Sequence, residues 1–145
     1  MDIVGFLNDV TGGNLLLWKV VFATIVLFGA GLQVFLAARL WDVSSFPPMK
    51  RGTAAKLHRG VGRVTLVLAV LVAISCIAGP AGPLSPTRVM LHSIFGTLVF
   101  VALAAKFLIL RVLRKGSGAL PFVGITLFIC FAFIWATSVA DFVGR

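Results

Sequence analysis

The chain has two histidines, and each opens an apolar stretch with a glycine four positions on: His58-Arg59-Gly60-Val61-Gly62 and His92-Ser93-Ile94-Phe95-Gly96. An ionisable ring is costly at the mouth of a membrane span, and where one occurs its default reading is functional. Imidazole is the commonest protein ligand for metals and also serves haem iron, so His58 and His92 are the candidate metal ligands. A residue at i+4 lies one helical turn away on the same face. A glycine there leaves room for a flat group against the backbone, which makes Gly62 and Gly96 candidate cofactor contacts.

Two cations extend these candidate sites. Arg88 lies one turn from His92 on the same face, placed to neutralise an acidic group on a cofactor. Lys106 follows His92 by almost four turns on that face, near the level of His58, and is a candidate partner for an acid group or a quinone oxygen. Each residue also has a plainer reading. His92 can be a core histidine bonded to a backbone carbonyl, to Ser138 or to Asp141. His58, flanked by Lys56, Arg59 and Arg63, can be one more basic side chain facing lipid headgroups. Lys106 can snorkel to the same headgroups along its apolar stem.

Depth separates the two rings. Each histidine lies near the start of its own helix and the helices run antiparallel, so at 1.5 Å per residue the rings differ in level by about 20 Å. One group shared between them within a subunit is therefore not expected. Each site would need its second ligand from elsewhere.

Several chemistries find no support. Only four acidic residues occur against thirteen Lys and Arg, none expected at mid-membrane, which argues against an ion-coupled transporter. No zinc-binding HExxH, phosphate loop or nucleophile–base motif is present. Cys76 and Cys130 fall inside spans without CxxC spacing and read as free thiols. Despite a net charge of +9, no nucleic-acid motif or aromatic interleaving accompanies the basic residues, so no nucleic-acid partner is expected.

The elements that must hold these residues follow from hydropathy. With 145 residues, 60% of them hydrophobic, the chain reads as one all-α membrane domain. Spans are expected at about 15–40, 57–79, 87–113 and 120–141, each near the length that crosses a bilayer. Short connections imply an antiparallel up-down bundle of four transmembrane helices. Arg39, Lys50, Arg51, Lys56, Arg59 and Arg63 lie between the first two spans, and Arg111, Arg114 and Lys115 between the last two. The opposite side holds Lys19, Arg88 and Arg145 beside Asp2, Asp9 and Asp141. That bias puts the basic loops in the cytoplasm and both termini outside, in a multi-pass protein of the inner (plasma) membrane. The N-terminal stretch has no basic n-region and reads as a short amphipathic surface helix ending at Thr11-Gly12-Gly13, with the first span retained. Pro47-Pro48 breaks the first connection, Ser85-Pro86 caps the third span, and Lys115-Gly116-Ser117-Gly118 turns into the fourth.

The segments Leu57-His58-Arg59-Gly60-Val61-Gly62-Arg63 and Arg88-Val89-Met90-Leu91-His92-Ser93-Ile94-Phe95-Gly96 resemble helix starts of cytochrome b561-like and ferric-reductase-like membrane proteins. With Leu120-Pro121 and Trp135-Ala136-Thr137-Ser138, the stretch from His58 onward is also similar to a group of small bacterial four-helix membrane proteins. The resemblance implies haem b held by histidine pairs and electron transfer across the membrane. It maps ligands only onto His58 and His92, and the expected partner position in Ala73-Ile74-Ser75-Cys76 has no histidine. The functional expectation is a b-type cytochrome-like subunit of a larger membrane redox complex, an electron carrier rather than a self-contained enzyme. The alternatives are a cofactor-free accessory subunit, or one that binds a pigment or quinone. Membrane lipids, and a redox complex or further copies of the chain, are the expected partners.

Overall fold

The computed structural model describes residues 3–46, 48–78, 85–113 and 117–143. Every regular element among them is helical: α1 (Ile3–Val10), α2 (Leu15–Leu40), α3 (Arg51–Ala78), α4 (Pro86–Leu108) and α5 (Leu120–Val143). Helices α2 to α5 are long and apolar enough to cross a membrane. The chain is therefore an all-α, multi-pass membrane protein, because spans of this hydropathy have no favourable place in water.

The amphipathic α1 ends in the expected glycine turn. Gly12 and Gly13 take φ of +59° and +81°, a region open to glycine without a Cβ clash. Their amides donate to Asp9 O at 3.1 Å and Asn8 O at 2.9 Å. Trp18 Nε1 reaches back from α2 to Thr11 O at 3.2 Å, tying the turn to the first span.

After α2, Asp42 sits at φ +54°, a left-handed position that aspartate tolerates better than most residues. Arg39 and Arg51 both pair with the Asp42 carboxylate. The same arginines also donate to Met49 O and Leu40 O, folding the connection back on itself. Helix α3 then begins at Arg51, before the apolar stretch that starts near residue 57. The reason is local: Lys50 O lies beyond the Pro47-Pro48 break and accepts from Thr53 and Ala54 N–H, each at 3.0 Å.

Ser85 caps α4 as its sequence implies, its Oγ accepting from Arg88 N–H at 3.4 Å, with Pro86 in the first turn. The third span is not α-helical throughout. Ile109 N–H is shared between Ala105 O and Lys106 O, and Ile109–Leu113 continues as a wider π-helical turn.

Packing pairs the helices unevenly. On the α2–α3 seam, Gly29 faces Thr65 so closely that a side chain at Gly29 would collide with the Thr65 hydroxyl. One turn on, a Cβ at Gly62 would stand 3.1 Å from Gln33 Oε1. Small residues that let backbones approach are the usual device for joining helices in lipid, where apolar burial gives little drive. Helices α4 and α5 share a core of Val99, Ala102, Leu127 and Cys130, with the Phe95 and Phe133 rings stacked at 4.5 Å. Helix α5 also packs on α2, where Trp135 Nε1 donates to Thr24 Oγ1 at 2.9 Å.

Among the described residues, α3 and α4 do not pack closely, although they are consecutive. The row runs α3–α2–α5–α4, and its two ends face each other across a gap. Where they face, the helices carry Ala69, Ala73, Ser93, Gly96 and Thr97. Val70, Ile77, Phe100 and Leu103 also line the space and do not fill what these small side chains leave.

Candidate functional site

The gap between α3 and α4 contains a cavity of about 340 Å³, at the small end of the range for ligand pockets. Helix α3 lines it with Ala69, Ala73 and Cys76, and α4 with His92, Gly96 and Thr97. Val26 of α2 and Phe131, Ile134 and Trp135 of α5 form its back. The wall is mainly apolar, and the few polar atoms therefore decide what it can hold. Gly96 faces open space, since a Cβ there would meet nothing within 4 Å.

His92 is the polar centre of this cavity. Its Nδ1 lies 3.4 Å from Thr137 Oγ1 and 3.3 Å from Ser138 Oγ, both on α5. Each hydroxyl directs its own proton elsewhere: Ser138 donates to Ile134 O at 2.9 Å, and Thr137 to Phe133 O and Ile134 O at the same distance. With their protons so directed they offer the imidazole lone pairs, which suits the tautomer with its hydrogen on Nδ1. Nε2 then keeps an unshared electron pair and makes no hydrogen bond to the described residues. A ring anchored through one nitrogen, with the other basic and unpartnered beside a cavity, has the arrangement of a histidine ligand with its supporting shell.

Other donors around the cavity are sparse. Cys76 lines it from α3 as a free thiol. Trp135 is turned to give its N–H to Thr24, which leaves an aromatic face as wall. Among the described residues, no group of three or more His, Cys, Asp or Glu converges. A bare ion would lack a ligand shell here, whereas a group that brings its own in-plane ligands needs only one or two from the protein.

His58 is in a different place. It lies on α3 toward the end of the bundle that carries the Asp42 connection, and its half-buried ring is not part of the cavity wall. Gln33 Nε2 donates to the His58 backbone carbonyl at 2.6 Å. His58 Nδ1 is enclosed with no hydrogen-bond partner. Gly62 faces Gln33 and serves the α2–α3 seam, so the two His-x-x-x-Gly segments do different work: Gly96 opens a cavity and Gly62 closes a helix contact.

Lys106 is half-buried on α4, near enough for its charge to act on the His58 ring. Arg88 stands one turn from His92 but is outside the cavity wall. Of the six candidate site residues, the cavity thus brings together His92 and Gly96, while His58 and Lys106 lie about 20 Å away in level. Ser138 is where the plainer reading of His92 put it, and Asp141 has a side chain outside the described residues. Thr137, Trp135 and Cys76 were not among the candidates. Thr137 and Trp135 had a visible signal in the polar Trp135-Ala136-Thr137-Ser138 cluster within an otherwise apolar span. Cys76 had none.

Fold and site together define a four-helix, multi-pass membrane protein with a histidine-lined cavity between its second and third spans. Residues 6–144 match the model of a family of unknown function, DUF6529, and the chain belongs to that family. No curated protein and no solved structure matches it.

Proposed function

We propose that this chain is an electron-carrying membrane subunit that holds one haem b in the α3–α4 cavity, with His92 Nε2 as its ligand from this chain. The observation that carries the reading is the state of His92: Nδ1 engaged by Thr137 and Ser138, and Nε2 unpartnered beside the cavity. Of the residues present, His92 would hold such a group through one ligand atom. When bound, it supplies an iron that gains and loses one electron reversibly.

The chain's own residues account for the remaining requirements. Thr137 and Ser138 fix the tautomer of His92 and raise the basicity of Nε2. Ala69, Ala73 and Gly96 leave flat walls, and Val26, Phe131 and Ile134 exclude water. The missing close contact between α3 and α4 lets a planar group larger than the enclosed volume extend between the two helices. Cys76 is the one soft donor on the α3 wall. Transfer of an electron onward calls for a partner, so the chain belongs in a larger redox complex or an assembly of copies. The basic end of the bundle faces the cytoplasm of a bacterial plasma membrane, with both termini outside, on the bias of Lys and Arg between the spans.

The reduced-minus-oxidised visible spectrum of protein purified in mild detergent from its native membrane tests this. A b-type α-band is expected, lost in His92→Ala and kept in His58→Ala. Ala73→Phe, which fills the cavity from α3, should also lose the band while the protein stays folded by circular dichroism. A preparation with its partners attached and no band would leave a cofactor-free accessory subunit. The favourable bonding of His92 Nδ1 to two hydroxyls is the observation behind that second reading, since it already satisfies one ring nitrogen.

A further inference from the structure

A second group of basic side chains, His58 and Lys106, lies outside the cavity wall. His58 Nδ1 is enclosed and unpartnered. An orphaned buried N–H is rarer than an unfilled acceptor, so the ring proton sits on Nε2, the nitrogen that is not enclosed. His58 therefore presents a donor, the reverse of His92. Lys106 reaches the same level from α4: the helices run antiparallel, and His58 stands as far from the end of α3 at Ala78 as Lys106 stands from the start of α4 at Pro86. The Lys106 charge is also near enough to act on the His58 ring.

Among the described residues, no carboxylate is paired with His58 or Lys106. Asp42 is the only acid in the ion pairs among the described residues, and it is held by Arg39 and Arg51. Arg59 and Arg63 stand exposed on α3 within about a turn of His58, adding cations at the rim. The level is also informative. His58 is about 10 Å along α3 from its start, and Lys106 lies in the last turn of α4, so both sit where headgroups meet acyl chains.

We propose that the His58–Lys106 end of α3 and α4 is a binding site for one anionic phospholipid, its phosphate against Lys106 and His58 Nε2–H and its acyl chains in the surrounding bilayer. Charge complementarity and depth together select that ligand. A phosphodiester supplies the oxygen acceptors that both donors lack, at the level where lipid phosphates lie.

The test uses the full chain reconstituted in nanodiscs of phosphatidylglycerol or of phosphatidylcholine, with retained lipid read by native mass spectrometry. One phosphatidylglycerol per chain should survive detergent release, and phosphatidylcholine should not. Lys106→Gln should lower retention by about tenfold, the loss of one charge-assisted hydrogen bond. Lys106→Arg should keep most of it, which guards against a misfolded glutamine variant. Lys56→Gln, an exposed site with the same change of charge, should stay within about twofold of the parent, as surface charges contribute little. Equal retention of the two lipids, or equal losses in Lys106→Gln and Lys56→Gln, would overturn the site. Full displacement of the lipid by inorganic phosphate would reassign it to a free anion, and a retained quinone would reassign it to a different ligand. His92→Ala should leave lipid retention unchanged, so this result stands or falls apart from the haem reading.

Discussion

The two nitrogens of an imidazole are not equivalent, and the neighbours of one decide what the other can do. His92 has hydroxyl lone pairs at Nδ1 and an unpartnered Nε2, whereas His58 has an enclosed Nδ1 and a donor at Nε2. Identical spacing to a glycine in sequence thus gives an electron-pair donor at one site and a proton donor at the other. The supporting hydroxyls of His92 should matter in proportion. In Thr137→Val with Ser138→Ala, haem affinity measured by titration should fall by about 10- to 100-fold, the usual effect of removing partners behind a metal ligand. The α-band should return at saturating haem, because the ligand itself remains. Unchanged affinity would mean that Nδ1 is held by something else.

Among the elements, the α2–α3 seam is the tightest contact and the least tolerant of added volume. Gly29 meets the Thr65 side chain, and Gln33 spans to the His58 carbonyl one turn on. Leu36 and Ala54, at 2% and 0% exposure, continue the burial at the basic end. Gly29→Ala should cost about 1–3 kcal/mol by overpacking, read as reversible unfolding in a mixed-micelle titration. Adding Thr65→Ala to the same chain should recover most of the loss, because the collision is with that side chain and not with backbone. Additive losses in the double variant would show that the two residues do not meet. The α3–α4 pair is the opposite case: it lacks a seam, and so has room for a ligand.

For the whole molecule, the row α3–α2–α5–α4 closes on itself only through a gap. The two clusters of polar side chains, around His92 and around His58 with Lys106, lie at different levels, and His92 lines that gap. Its direction in the membrane is testable with single cysteines, since Cys76 and Cys130 both lie within spans. Ser45→Cys, exposed in the basic connection, should react with a membrane-impermeant maleimide only after the membrane is opened. Asn14→Cys, exposed at the other end, should react in intact cells. The reverse pattern would invert the orientation drawn from the Lys and Arg bias.

Hydropathy over the chain was enough to give four spans, because the hydrocarbon core demands long apolar helices whatever their neighbours do. Local rules were enough for the glycine turn at Gly12-Gly13 and for the cap at Ser85, since each depends on residues within a few positions. His92 and Gly96 were legible as neighbours on one face of a helix, and Ser138 as a partner for that ring. The order of helices in the row was not, because lipid-facing and protein-facing surfaces are equally apolar here and carry no strong periodic signal. That order decides that Gly62 faces Gln33 while Gly96 faces a cavity, and that Cys76, silent in sequence, lines the same wall as His92. It also sets the tautomers, because a ring proton's position depends on groups that the chain brings together only on folding.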